Sequence, residues 1–88
     1  MTGYPVARIG DQISHGGSIT QGSLTVFTNS IGVARLGDAV HCNIHGAQTI
    51  SSASLTVFAN SKGVARVGDS VSCGATITIG SSTVFVGG

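Results

Sequence analysis

Val6-Ala7-Arg8-Ile9-Gly10-Asp11 returns as Val33-Ala34-Arg35-Leu36-Gly37-Asp38 and again as Val64-Ala65-Arg66-Val67-Gly68-Asp69. A second element follows each copy: Ser23-Leu24-Thr25-Val26-Phe27, Ser54-Leu55-Thr56-Val57-Phe58 and Ser81-Ser82-Thr83-Val84-Phe85. Two linked elements recurring three times in one order define internal repeats, at about residues 5–32, 33–63 and 64–88, within a single domain over 1–88. Asp11 to Phe27 and Asp69 to Phe85 are each 16 steps, whereas Asp38 to Phe58 is 20. The middle repeat thus carries four extra residues, around Asn43-Ile44-His45-Gly46. A solenoid calls for distinctive capping repeats at its ends. Here the outer repeats match in length and the odd one is central, which favours closure around an axis.

The repeats read as β structure. β-branched residues broken by glycine clusters favour strands, and no stretch keeps a helical period of apolar residues. Val-Ala-Arg-x is expected to be short and extended, with Gly-Asp closing it in a turn. Ser18-Ile19-Thr20, Gln48-Thr49-Ile50, Thr76-Ile77-Thr78 and the Leu-Thr-Val-Phe elements, which alternate at period two, read as strands. Asn29-Ser30-Ile31-Gly32 and Asn60-Ser61-Lys62-Gly63 read as turns between repeats. The expectation is an all-β, small pseudo-threefold cone of β-hairpins. Each Arg-x-x-Asp spacing is read as a pair bracing a tight turn; as exposed pairs they would add little stability.

Composition narrows the function. With 88 residues, the chain buries little apolar area, and such domains commonly need a staple. It has 14 Gly, no Trp, four Phe or Tyr in all, seven charged residues and a formal net charge of +1. No basic patch is interleaved with aromatics, so nucleic acid is not an expected partner. So few charges imply a surface partly covered by another protein. No run of about 18 apolar residues occurs. Met1-Thr2-Gly3-Tyr4-Pro5 lacks the basic and apolar regions of a signal peptide, so synthesis in a reducing cytoplasm is expected.

Every His and Cys falls in one part of the repeat, the turn after Gly-Asp. His15, Cys42 and Cys73 each lie four residues after the repeat's Asp; His41 precedes Cys42, and His45 lies in the insert. Around an axis these positions converge at one apex. Imidazole and thiolate donors suit tetrahedral Zn²⁺, with iron or another divalent ion as alternatives. The preferred set is His15, His41, His45 and Cys73, which draws on all three repeats. Strict repeat equivalence favours Cys42 in place of His41, and a Cys42–Cys73 disulfide is a further alternative. Four protein ligands would make the metal structural, pinning the apex. Catalysis has little support: Asp11, Ser14 and His15 sit in one turn, and the chain has no Glu.

Pro5-Val6-Ala7-Arg8 and its later copies, His15-Gly16-Gly17, Cys42-Asn43-Ile44-His45-Gly46 and Ser72-Cys73-Gly74 together resemble the PAAR-repeat proteins. Gly32 and Gly63 stand where the family's name has proline. The resemblance implies a sharp β cone with zinc near its point, held by three His and one Cys: here His15, His41, His45 and Cys73. It implies a tip, not an enzyme. The tip sits as a monomer on a homotrimeric β-helical needle, either the valine-glycine repeat spike of type VI secretion or a contractile phage tail spike. There it would meet a target membrane transiently, as part of a virion tail tip or as a protein secreted by the injection machine. The rival readings are a zinc-dependent small hydrolase and a generic β-repeat interaction module.

Overall fold

The computed structural model describes residues 3–86, and among them there is no helix. The strands are short: β1 Tyr4–Pro5, β2 Gly17–Ile19, β3 Phe27–Thr28, β4 Ile31–Gly32, β5 Ala39–Cys42, β6 Gly46–Thr49, β7 Phe58–Ala59, β8 Lys62–Gly63 and β9 Phe85–Val86.

Three two-stranded ladders occupy equivalent places. β3 and β4 pair with Phe27 opposite Gly32, and β7 and β8 with Phe58 opposite Gly63. Each is joined by two residues with positive φ, Asn29 and Ser30 (54° and 65°) and Asn60 and Ser61 (54° and 66°). That is the backbone of a type I′ hairpin, which asparagine tolerates better than most residues. The third ladder joins the two ends of the described chain, β1 to β9, with Pro5 opposite Phe85. Proline is acceptable on such an edge because no further strand needs its missing N–H.

Closure is written in the backbone. Ala34 N–H donates to Ala7 C=O, Ala65 to Ala34, and Ala7 to Ala65, each at 2.9 Å. These three alanines are wholly buried. A cycle of three bonds, one from each repeat to the next, requires the repeats to ring an axis. The bridges repeat the pattern: Arg8 with Val33, Arg35 with Val64, and Arg66 with Val6. Only a small side chain fits where three chains approach an axis, which is why alanine recurs there.

Apolar residues stack in layers along this axis. Val6, Val33, Val64 and Ala59 form one cluster beside the hairpins. Beyond the alanines, Ile13, Ile19, Val40, Ile50, Val71 and Ile77 form a second cluster, joined by Cys42 and Ala75. Burial at about 25 cal/mol per Å² drives this stacking, but the layers are thin and few.

Each Arg–Asp turn differs from the exposed brace expected. Gly10, Gly37 and Gly68 take φ of 90°, 86° and 95°, and the following Asp N–H donates to the Arg carbonyl at 3.0 Å. This is a type II turn, which calls for glycine at its third position. The carboxylates are buried, Asp38 to 1 % exposure. Asp38 accepts from Arg35 N, Nε and Nη2 at 2.8–2.9 Å, and Asp11 and Asp69 do the same for Arg8 and Arg66. These carboxylate hydrogen bonds raise the Arg pKa values further.

A second correction concerns Leu-Thr-Val-Phe. Only Phe27 and Phe58, with the residue after each, enter strands. The stretch before them is a turn held by a buried serine: Ser23 Oγ accepts from Val26 N at 2.8 Å and donates to Asn60 Oδ1 at 2.6 Å. Ser81 does the same with Val84 N and Asn29. The leucines therefore point outward, Leu24 87 % and Leu55 83 % exposed.

Candidate metal centre

The end of the stack opposite the hairpins is built from three turns. In the first repeat Gly16 N–H donates to Ile13 C=O, and in the third Gly74 N–H donates to Val71 C=O. His15 and Cys73 occupy the same place in these matching turns, Ile13-Ser14-His15-Gly16 and Val71-Ser72-Cys73-Gly74. Gly16 and Gly74 supply the positive φ values of 76° and 92° that finish them. In the middle repeat the insert lengthens the turn into a hairpin. β5 and β6 pair from Ala39–Thr49 to Cys42–Gly46, leaving Asn43, Ile44 and His45 as its loop. β2 adds on the other side of β5, with Gly17 opposite Cys42. A Cβ at Gly17 would collide with the His41 carbonyl, so only glycine permits this approach.

His15, Cys42, His45 and Cys73 converge there, with one ligand atom from each lying within 4.8 Å of the others. The structure thus unites three of the four residues expected, His15, His45 and Cys73, and sets Cys42 in the place expected of His41. The reason is the pleat. Successive side chains on a strand face opposite ways. In β5, Val40 and Cys42 are buried and His41 is exposed. His41 therefore lies on the outer face, away from the convergent group. Repeat equivalence was the signal for Cys42, since it holds the position of His15 and Cys73.

The distances suit a metal. Cys42 Sγ lies 3.8 Å from His15 Nδ1 and 3.5 Å from His45 Nδ1, and Cys73 Sγ lies 3.7 Å from His15 Nδ1. In a tetrahedron with metal–sulfur bonds of ~2.3 Å and metal–nitrogen bonds of ~2.0–2.1 Å, sulfur and nitrogen sit about 3.6 Å apart. The two imidazole rings are tilted at 48° with centroids 5.5 Å apart, so they do not stack. Two imidazoles and two thiolates form a donor set that could hold a metal ion, and its softness favours zinc-like ions over magnesium or calcium.

Electrostatics prepare one sulfur. Burial pushes the Cys42 thiol up, but hydrogen bonds from the backbone N–H groups of His45 and Ile44, and with the rings of His45 and His15, outweigh burial and lower it to about 6. A thiolate is the metal-binding form. Because the folded value lies below the ordinary 9.0, this thiolate's contribution to metal-free stability is complete above pH 9. It declines as pH falls and is lost below about pH 6. Ultraviolet titration of thiolate absorbance in the metal-free chain should show one sulfur ionising near pH 6, absent in Cys42→Ser. A single inflection near pH 9 would refute it.

The PAAR motif family model matches residues 9–79 and again residues 49–88, overlapping placements that follow from the repeats. No curated protein matches the chain. With nearly the whole described fold covered by that match, the chain belongs to the PAAR motif family.

Proposed function

We propose that this chain caps a trimeric β-helical spike of a contractile injection machine, a type VI secretion system or a phage tail, and sharpens it for membrane piercing. The observation that carries the reading is symmetry. A monomer whose backbone closes through Ala7, Ala34 and Ala65 offers a threefold partner three similar contacts at once. The hairpin end is also apolar where it meets solvent. Phe27, Phe58 and Phe85 recur there, with Leu24 and Leu55 beside them, all exposed. Burial of such a surface against a blunt spike face is favourable. The opposite end carries the donor group, so force would arrive at a cross-linked point.

In this reading the ion is zinc, held by His15, Cys42, His45 and Cys73. When bound it would supply a structural cross-link between all three repeats. The four protein donors fill a tetrahedral site without leaving a position for substrate, which supports a structural role over a hydrolytic one. The chain would be made in the bacterial cytoplasm and leave it on the tip of the machine.

Co-purification with a cognate trimeric spike tests this. Leu24→Asp with Leu55→Asp changes only exposed side chains, so the fold should persist. A charge buried at each anchor costs at least ~2 kcal/mol, so affinity should fall by more than 100-fold. Unchanged capture, with one tip still bound per trimer, would place the docking face elsewhere.

A further inference from the structure

One ion needs four donors, and nothing in that requirement calls for two of them to be thiols. Cys42 Sγ and Cys73 Sγ nevertheless both belong to the group within 4.8 Å, and both face the same atom, His15 Nδ1. They come from different repeats, 31 residues apart in sequence, and neither is in a disulfide. The geometry points to Cys42 and Cys73 as a latent disulfide, formed when the apex meets a two-electron oxidant such as hydrogen peroxide.

The two sulfurs differ in freedom. Cys42 is buried and fixed in a strand paired on both sides. Cys73 is half-buried, between exposed Ser72 and Gly74, in a turn closed by the bond from Gly74 N–H to Val71 C=O. Cys73 is therefore the sulfur an oxidant reaches first and the one that moves. Its thiolate attacks a peroxide oxygen, the O–O bond breaks, and hydroxide leaves to be protonated to water, giving a sulfenic acid. The Cys42 thiolate then attacks that sulfur, the S–O bond breaks, and a second hydroxide leaves as water after protonation. The two sulfurs have given two electrons to one peroxide, and solvent has supplied two protons. The S–S bond removes two of the four donors, so an ion held there is released. A covalent tie between the second and third repeats replaces it, while the first repeat loses its tether. A point carried out of a reducing cytoplasm would thus stay partly cross-linked after losing its metal.

The bridge rests on the sulfur positions alone; metal release rests also on the zinc reading of the site. The purified chain, zinc-loaded and metal-free in separate arms, is treated with tenfold hydrogen peroxide and then alkylated. In both arms the intact mass should fall by about 2 Da, with a non-reduced peptide map joining Cys42 to Cys73 within one chain. The loaded arm should release one zinc per bridge to a chromogenic chelator, and dithiothreitol with zinc should restore the starting state. Cys73→Ser should show no such loss of mass; if that variant fails to fold, the wild-type peptide map decides. Gains of about 32 or 48 Da, marking sulfinic or sulfonic acid, overturn the proposal, as do bridges between chains. A chain that forms the bridge but never held zinc overturns the metal reading and leaves the disulfide standing.

Discussion

With zinc held as proposed, stripping it should lower the melting temperature of this chain on the order of 20 °C or more. Structural zinc sites bind with about 10–16 kcal/mol of apparent free energy at neutral pH, and that energy is folding energy. The whole stability of a small domain is about 5–15 kcal/mol. In a domain of this size each 1 kcal/mol moves the midpoint by roughly 4–8 °C. The apolar layers here are few and their largest members are isoleucines, so the core alone leaves little in reserve. Calorimetry before and after dialysis against a strong chelator measures the difference. Point variants then assign the ligands. Cys42→Ser, His15→Ala, His45→Ala and Cys73→Ser should each purify with well under one zinc per chain. His41→Ala, on the outer face of β5, should keep one zinc and melt within a few degrees of wild type, as exposed substitutions do. Loss of zinc in His41→Ala with retention in Cys42→Ser would reverse the assignment. Unchanged melting after complete chelation would end the structural role.

How much of this was written in the sequence depends on what sets each feature. The ring was legible because symmetry repeats in sequence as it does in space: Ala7, Ala34 and Ala65 mark the axis by recurring. The insert was placed correctly because counting steps needs no conformation. Of the four donors that converge, His15, Cys42, His45 and Cys73, three stood in the expected set. Choosing between His41 and Cys42 required knowing which face of β5 turns inward. Chemistry allowed either residue; repeat position pointed to Cys42, but the pleat that turns it inward shows only in the structure. The serine turns were hidden for another reason. Ser-Leu-Thr-Val-Phe alternates as a strand does, yet Ser23 Oγ accepts from Thr25 N and Val26 N and bends the chain there. A local side-chain acceptor competes with the ladder and wins. The depth of the Arg–Asp pairs was invisible too, since spacing shows that two residues can meet and not whether water reaches them.

That depth should make Asp38→Ala the most damaging single change away from the four donor residues. Asp38 is 1 % exposed and accepts three bonds from Arg35, one of them from its backbone N–H. Arg35 Nη1 donates onward to Asn60 Oδ1 at 3.0 Å. Asn60 Oδ1 also accepts from Ser23 Oγ, and its Nδ2 donates to Thr25 Oγ1 at 2.9 Å. One carboxylate therefore anchors a line of bonds running from the second repeat into the first. Removing it leaves a largely buried guanidinium and an amide N–H without their acceptor. Breaking a buried pair from one side costs about 3–5 kcal/mol. With a urea slope near 1 kcal/mol per M, low in the range for small proteins, the midpoint should fall by roughly 3–5 M. Asp38→Asn keeps one acceptor oxygen for the Arg35 amide and should lose about half as much. The zinc content of both variants, read on folded protein at low urea, should stay at one per chain, because the turn lies a layer away from the donors. A surface ion pair would behave differently, with a loss below about 1 kcal/mol that 1 M salt largely removes. Denaturation of Asp38→Ala in low and high salt separates the two. A small, salt-sensitive loss would mean that water reaches this carboxylate, and that the Arg35–Asp38 turn does little to hold the ring together.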